Sequence, residues 1–373
     1  MRIFLIAAFL TQTFFAGFAQ TAPKGKAYPF GLMPTKYNTE EVTKAYTLWK
    51  TKYITDKGCP KGKRVLFDDM KHTVSEGIGY GMLASAYMKD KPLFDDLYAY
   101  YNSFLDPQGF MHWKIDETGK RAGDNAATDA DEDVAFALVV ASKNFNDPKY
   151  LEEGKKLINN MMKFMIEPVT FIVKPGDAWG GTNTTNISYY ATGYYRFFAK
   201  VSGDKNWLKV ADKCYEIINK SMNKTTGLVP DWNKADGSVP AEGVTEWARE
   251  KGVAYLYDAA RTPWRIAFDY LWYGKPEAKN YCSLVSSFEK KIGIENIKDG
   301  YFLDGKPVGA NHTSTFVGTF GVGLMATDAS YQAELDKAYA DNIKTFNDVY
   351  FNDMLRLLTL MGQTGMFFLP EVK

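Results

Sequence analysis

Cysteine and histidine are scarce in this 373-residue chain, with three of each. Cys59, Cys214 and Cys282 are far apart and odd in number, so no disulfide framework is expected. Cys214 and Cys282 fall in helical patterns and are expected as buried thiols. His72, His112 and His312 are scattered, and none has a metal-ligand partner at helical or loop spacing, which argues against zinc chemistry. The chain also lacks an excess of charge of one sign. Its formal net charge is +1 with both signs mixed throughout, so it has no electrostatic footprint for nucleic acid or for an anionic membrane. No stretch rich in Pro, Gly or Ser divides the chain, and its length suffices for a large core.

Long apolar runs are missing beyond the N-terminus. There, Met1-Arg2 precedes a mostly apolar run from Ile3 to Phe15, with small residues at Gly17 and Ala19. That run is short for a bilayer span and has the pattern of a signal peptide cut after Ala19. The expected organisation is a signal peptide over 1–19, an extension over 20–38 that is disordered as far as Lys26, and one catalytic domain over 39–373. The expected location is secreted or periplasmic, with no membrane attachment after cleavage, and the expected state is a monomer.

Aromatic residues, in contrast, are abundant, at 15%. Much of this surplus belongs in a core, but Trp and Tyr also stack on sugar rings. Helical periodicity recurs along the whole chain and comes in two kinds. One-faced segments begin near Thr39, Leu93, Lys149, Asn206, Glu277 and Gln332. Between them lie segments apolar on nearly all sides: the Glu76 helix, Val134 to Ala141, Asn186 to Val201, Tyr257 to Trp272, Asn311 to Met325 and Tyr350 to Met361. A helix apolar all round must be buried, and a one-faced helix covers it. Strict alternation of six and six predicts an all-α fold, an inner ring of six helices within an outer ring of six. The inner helices would then run parallel, and the polar residues at their N-termini would converge on one face. Thr170 to Val173 and Gly300 to Leu303 are expected as short hairpin arms.

The stretch that most needs a chemical explanation is Thr73-Val-Ser-Glu76-Gly-Ile-Gly-Tyr-Gly-Met82. Ser75 is the expected N-cap. Three glycines cost a helix roughly 1 kcal/mol each against Ala, which close approach of a backbone or ligand would offset. A carboxyl in such apolar surroundings has its pKa raised, as a general acid requires. The competing reading is a Glu in the first turn of a packed helix, favoured by the helix dipole.

Two further segments bear on chemistry. Asp129-Ala-Asp-Glu-Asp133 begins like a calcium loop, but Val134 and Val140 stand where that loop needs Gly and Glu. Asp258 precedes Arg261 by three residues, so the two side chains can pair on one helical face and keep Asp258 ionised, as a general base should be; a structural salt bridge is the alternative. Two carboxyls in opposite environments suit acid and base roles, and Trp113, Trp179, Tyr189 and Trp264 around them suit a sugar polymer.

These blocks, together with Lys174-Pro-Gly-Asp-Ala-Trp179-Gly-Gly and Tyr257-Asp258-Ala-Ala-Arg261, closely resemble glycoside hydrolase family 8 in order and spacing. The resemblance implies an (α/α)6 barrel and hydrolysis of β-1,4 glycosidic bonds with inversion, without metal or other cofactor. Carried over position by position, it makes Glu76 the general acid and Asp258 the general base. Asp129 would bind the sugar at the cleavage point, Tyr189 and Arg261 would position the water and the base, and Trp113 and Trp179 would stack on sugars. The expected substrate is β-glucan or cellulose, with xylan second and chitosan behind it. A barrel that binds carbohydrate without cleaving it, or a polysaccharide lyase or epimerase on the same barrel, are the rivals.

Overall fold

The computed structural model describes residues 25–240 and 251–372; the expected signal peptide and its cleavage site lie outside them. Among the described residues there are twelve α-helices. Those of the outer set are α1 (Thr39–Tyr53), α3 (Lys91–Tyr101), α5 (Pro148–Phe164), α7 (Asn206–Ser221), α9 (Pro276–Ile292) and α11 (Gln332–Lys344). Those of the inner set are α2 (Ser75–Tyr87), α4 (Thr128–Asn144), α6 (Thr192–Ser202), α8 (Thr262–Tyr273), α10 (Ser314–Met325) and α12 (Tyr350–Gln363).

Burial follows the sequence pattern. All of α10 is buried and all of α2 except Glu76, whereas α5 buries only Tyr150, Gly154, Leu157, Ile158 and Met161. Each inner helix packs on an outer one: α2 on α3, α4 on α5, α6 on α7, α8 on α9, α10 on α11 and α12 on α1. The inner helices also touch in turn around the ring, and Phe136 of α4 stacks on Tyr194 of α6 with centroids 4.0 Å apart. This is the expected (α/α)6 barrel.

The α2 glycines serve packing. A Cβ on Gly79 would come within 2.8 Å of the Ala130 carbonyl oxygen, and one on Gly77 within 2.9 Å of the Tyr350 hydroxyl. Without side chains at these points, α2 lies directly against α4 and α12.

The structure departs from expectation at several element ends. Ser75 is the first residue of α2 rather than its cap; Val74 occupies the cap position and no side chain caps the helix. The Asn186–Val201 segment is broken, with a 3-10 turn at Ile187–Tyr189 before α6. Asp258 likewise precedes a 3-10 turn, Ala259–Arg261, that leads into α8. Lys26 is not free: its N–H donates to the Gly365 carbonyl at 2.9 Å, and Leu32 donates to Met325, so the extension runs along the ends of α12 and α10.

Short strands supply the remaining order. β1 (Ile54–Thr55) pairs with β2 (Arg64–Val65), and β3 (Thr73–Val74) pairs with β4 (Lys114–Ile115), which pairs with β5 (Arg121–Gly123). β6 (Ala254–Tyr255) pairs with β7 (Tyr301–Phe302), so the Gly300 arm joins a segment distant in sequence. Of the Thr170 arm, Val173 alone bridges, to Ile166.

Candidate active site

The starts of the inner helices converge. Glu76 lies in the first turn of α2 and Asp129 in that of α4; Tyr189 sits on the turn before α6, and Asp258 and Arg261 sit just before α8. Asn352 in α12 accepts from Thr315 of α10 at 2.7 Å, which brings in the sixth helix. All but Thr315 line one cleft of about 490 Å³, together with Trp113, Phe67, Tyr257 and Phe351.

The short strands place two of these residues. β3 runs straight into α2, and the Ser75 N–H donates to the Trp113 carbonyl at 2.9 Å, so Trp113 is fixed beside Glu76. Trp113 is 41% exposed and lines the cleft.

Arg261 is the electrostatic centre. Its Nη1 donates to Glu76 Oε2 at 2.6 Å and to Asp129 Oδ2 at 2.7 Å; its Nη2 donates to Asp258 Oδ1 at 3.1 Å and to Ser188 Oγ at 2.9 Å. The guanidinium also lies 5.3 Å from the centre of the Tyr189 ring. A planar fork with several donors suits this multiple pairing in a way that a point charge does not.

Glu76 was expected in apolar surroundings, yet it shares its arginine with two other carboxyls. Burial pushes its pKa up to about 8; Arg261 opposes the shift, and Asp129 and Asp258 add to it. Burial outweighs the ion pair, and Glu76 is held protonated at neutral pH.

Asp258 has further partners on its other oxygen. Oδ2 accepts from Trp232 Nε1 at 3.0 Å and from Lys251 Nζ at 3.2 Å. Neither donor was singled out in the sequence. Trp232 lies in a loop, as Trp113 and Trp179 do, whereas nothing local marks Lys251.

Two expected cleft residues lie elsewhere. Trp179 does not line the cleft around Glu76; half-buried, it stacks on Trp232 with centroids 5.7 Å apart and planes 22° apart. Trp264 is a core residue, 1% exposed, lying against Tyr80 and under the Arg265 guanidinium. The acidic cluster also resolves. Asp129 faces Arg261, Asp131 accepts from Tyr101, Glu132 accepts from Tyr195 at 2.5 Å, and Asp133 forms a two-pronged pair with Arg265 at 2.6 Å on each prong.

This set of carboxyls and aromatic residues in a cleft at one end of an (α/α)6 barrel agrees with the comparison to known families. The model for glycosyl hydrolases family 8 matches residues 21–365. The chain belongs to that family. It is 44% identical to Endoglucanase 2 of Ruminiclostridium josui, over 92% of this chain and 76% of that protein. It is 44% identical to Endoglucanase C of Ruminiclostridium cellulolyticum, over 86% and 70%. The apo structure of a beta-1,3-1,4-glucanase from Paenibacillus sp. X4 superposes with a TM-score of 0.85 at 29% identity, covering 93% of this chain and 99% of that one. A reducing end xylose-releasing exo-oligoxylanase of Halalkalibacterium halodurans stands at 23% identity, over 79% of each chain. This family 8 chain is therefore a glycoside hydrolase.

Proposed function

We propose that this glycoside hydrolase is a secreted, monomeric, inverting endo-β-1,4-glucanase, with Glu76 as general acid and Asp258 as general base. The observation that carries the reading is the single guanidinium of Arg261 joining Glu76, Asp129 and Asp258 on the wall of a cleft flanked by Trp113 and Tyr189. One guanidinium spans the two carboxyls, a span that admits the roughly 6.5–9.5 Å separation an inverting enzyme needs to seat a water.

In this reading Glu76, kept protonated by its burial, gives its proton to the leaving glycosidic oxygen as the bond to the anomeric carbon breaks. Asp258 takes a proton from the water that attacks that carbon from the opposite face. Asp129 holds the sugar between them, Tyr189 and Arg261 orient water and base, and Trp113 gives one ring an apolar platform. Trp179 extends the platform beyond the central cleft. The higher identity to endoglucanases than to a xylan-directed relative supports β-glucan or cellulose as substrate and leaves xylan as the second reading.

The test is viscometry of purified protein on mixed-linkage β-glucan, carboxymethyl cellulose, xylan and chitosan, with product anomers followed by NMR. Rapid viscosity loss on the glucans with α-configured first products is expected. The variant Glu76→Gln is expected to lose about 10²- to 10⁴-fold in kcat. Cleavage confined to xylan moves the substrate to the second reading, and β-configured first products sink the inverting mechanism.

A further inference from the structure

The base is held by more than Arg261. Residues 222–240 form an irregular loop after α7, and within it Asp231 and Trp232 are only 0% and 3% exposed. Loop residues ordinarily run over the surface, and a buried aspartate is costly unless its partners are good. Burial pushes the Asp231 carboxyl up to about 7, so the fold bears a real cost at this position.

Its partners show what the cost maintains. Asp231 Oδ1 accepts from the backbone N–H groups of Leu256 and Ala259, each at 2.8 Å, and the Asp231 N–H donates to the Ala254 carbonyl at 2.9 Å. Leu256 and Ala259 flank Asp258, so one oxygen staples both sides of the turn that bears the base. The next residue acts on the side chain: Trp232 Nε1 donates to Asp258 Oδ2 at 3.0 Å. Together with the bonds from Arg261 and Lys251, that bond sets the rotation of the carboxylate, which backbone bonds cannot do. The Trp232 ring also stacks on Trp179 and meets Tyr189 edge-on at 6.2 Å. Trp232 thus lies between the outer aromatic platform and the base.

We propose that Asp231 and Trp232 are positioning residues for the general base, Asp231 setting the backbone of its turn and Trp232 the facing of its carboxylate. The inference rests on Asp258 being that base. Neither residue need touch the sugar. Their contribution is to keep Asp258 aimed at the attacking water, where a misplacement of about 1 Å can cost about 100-fold.

The test compares Trp232→Phe, Asp231→Asn, Asp231→Ala and Asp258→Ala, on cellotetraose and on an aryl β-cellotrioside with a 2,4-dinitrophenyl leaving group. Trp232→Phe keeps the stacked ring and removes the N–H donor. Its kcat is expected to fall about 10- to 100-fold on both substrates, with KM within about twofold, because a better leaving group relieves the acid but not the base. Sodium azide, which attacks without a general base, is expected to restore turnover in Trp232→Phe and Asp258→Ala and to yield the glycosyl azide. Asp231→Asn, which retains an acceptor oxygen, is expected to lose less than Asp231→Ala, and thermal melts establish that each variant is folded.

A kcat for Trp232→Phe within about twofold of the parent, or a raised KM with kcat unchanged, overturns the positioning role. So does failure of azide to accelerate that variant. If Asp258→Ala stays active, the base assignment fails and this inference falls with it. If Asp258→Ala is inactive while Trp232→Phe is normal, the base assignment stands and the inference alone is lost.

Discussion

Arg261 and Arg265 lie one helical turn apart, and so do the aspartates they meet, Asp129 and Asp133 on α4. The two ion pairs use the same chemistry at successive depths of the barrel. Arg265 gives both terminal nitrogens to the single carboxylate of Asp133, in the core beside Trp264 and Tyr194. Arg261 divides its donors among three carboxyls, a serine and a tyrosine, and lines the cleft. The deeper pair is closed: both oxygens of Asp133 are taken up by Arg265, whose Nε alone is left without a partner among the described residues. The outer one holds more carboxyls than one cation can neutralise, and that surplus, together with burial, keeps Glu76 protonated. A buried arginine–aspartate pair is therefore not evidence of a site by itself; sharing among several carboxyls beside a cleft is the distinguishing feature.

The comparison makes unequal predictions for the two levels. The largest effect is expected for Arg261→Lys, since an ammonium cannot span Glu76, Asp129 and Asp258 together. Steady-state kinetics on β-glucan should show kcat down by about 100-fold or more, with melting little changed. Asp133→Asn should do the reverse. Leaving Arg265 buried without its charge partner is expected to cost about 3–5 kcal/mol in denaturant unfolding, with the folded protein retaining kcat within a few-fold. A large kcat loss in Asp133→Asn without loss of stability would erase the distinction.

The pH profile gives a finer test. Because Glu76 acts in its protonated form, kcat/KM is expected to fall as pH rises through about 8, the value that burial imposes. The Asp129 carboxylate raises that pKa and Arg261 lowers it, so Asp129→Asn should move the alkaline limb to lower pH and Arg261→Gln to higher pH, measured on residual activity. Asp133 raises the Glu76 pKa less than Asp129 or Asp258 does, so Asp133→Asn should shift the limb less than either of the other two variants. The smallest effect is expected for the paired replacement Asp133→Leu with Arg265→Met. Exchanging a buried ion pair for apolar groups is often neutral or stabilising by about 1–4 kcal/mol, and unfolding curves should show no loss.

Most of the fold was legible because periodicity records burial. Inner helices such as α10 are apolar all round and outer ones such as α5 on one face, and the alternation of the two kinds gives the ring order without tertiary information. Strands β3 and β4 were not legible. Two residues carry no readable period, and their pairing depends on the approach of segments some forty residues apart. The breaks at Tyr189 and Asp258 were hidden for a related reason: a 3-10 turn and an α-helix share nearly the same apolar spacing over so short a run.

The site was legible to a different degree. Glu76, Asp129, Asp258 and Arg261 stood out as charged residues at the starts of apolar helices. Trp264 misled because a tryptophan beside Arg265 looks the same whether the arginine faces a cleft or a core. Trp232 and Lys251 were missed because their relation to Asp258 is made by loops, which carry no periodicity to place them.

The sequence by itself determined the two-ring helical barrel, the end at which its polar residues gather and the carboxyls available there, since each of these follows from local periodicity and residue type. Tertiary structure decided which carboxyls share Arg261, that burial keeps Glu76 protonated, and which tryptophan faces the base. Those outcomes depend on distances and burial between segments remote in sequence, and electrostatic energy is set by them rather than by order along the chain.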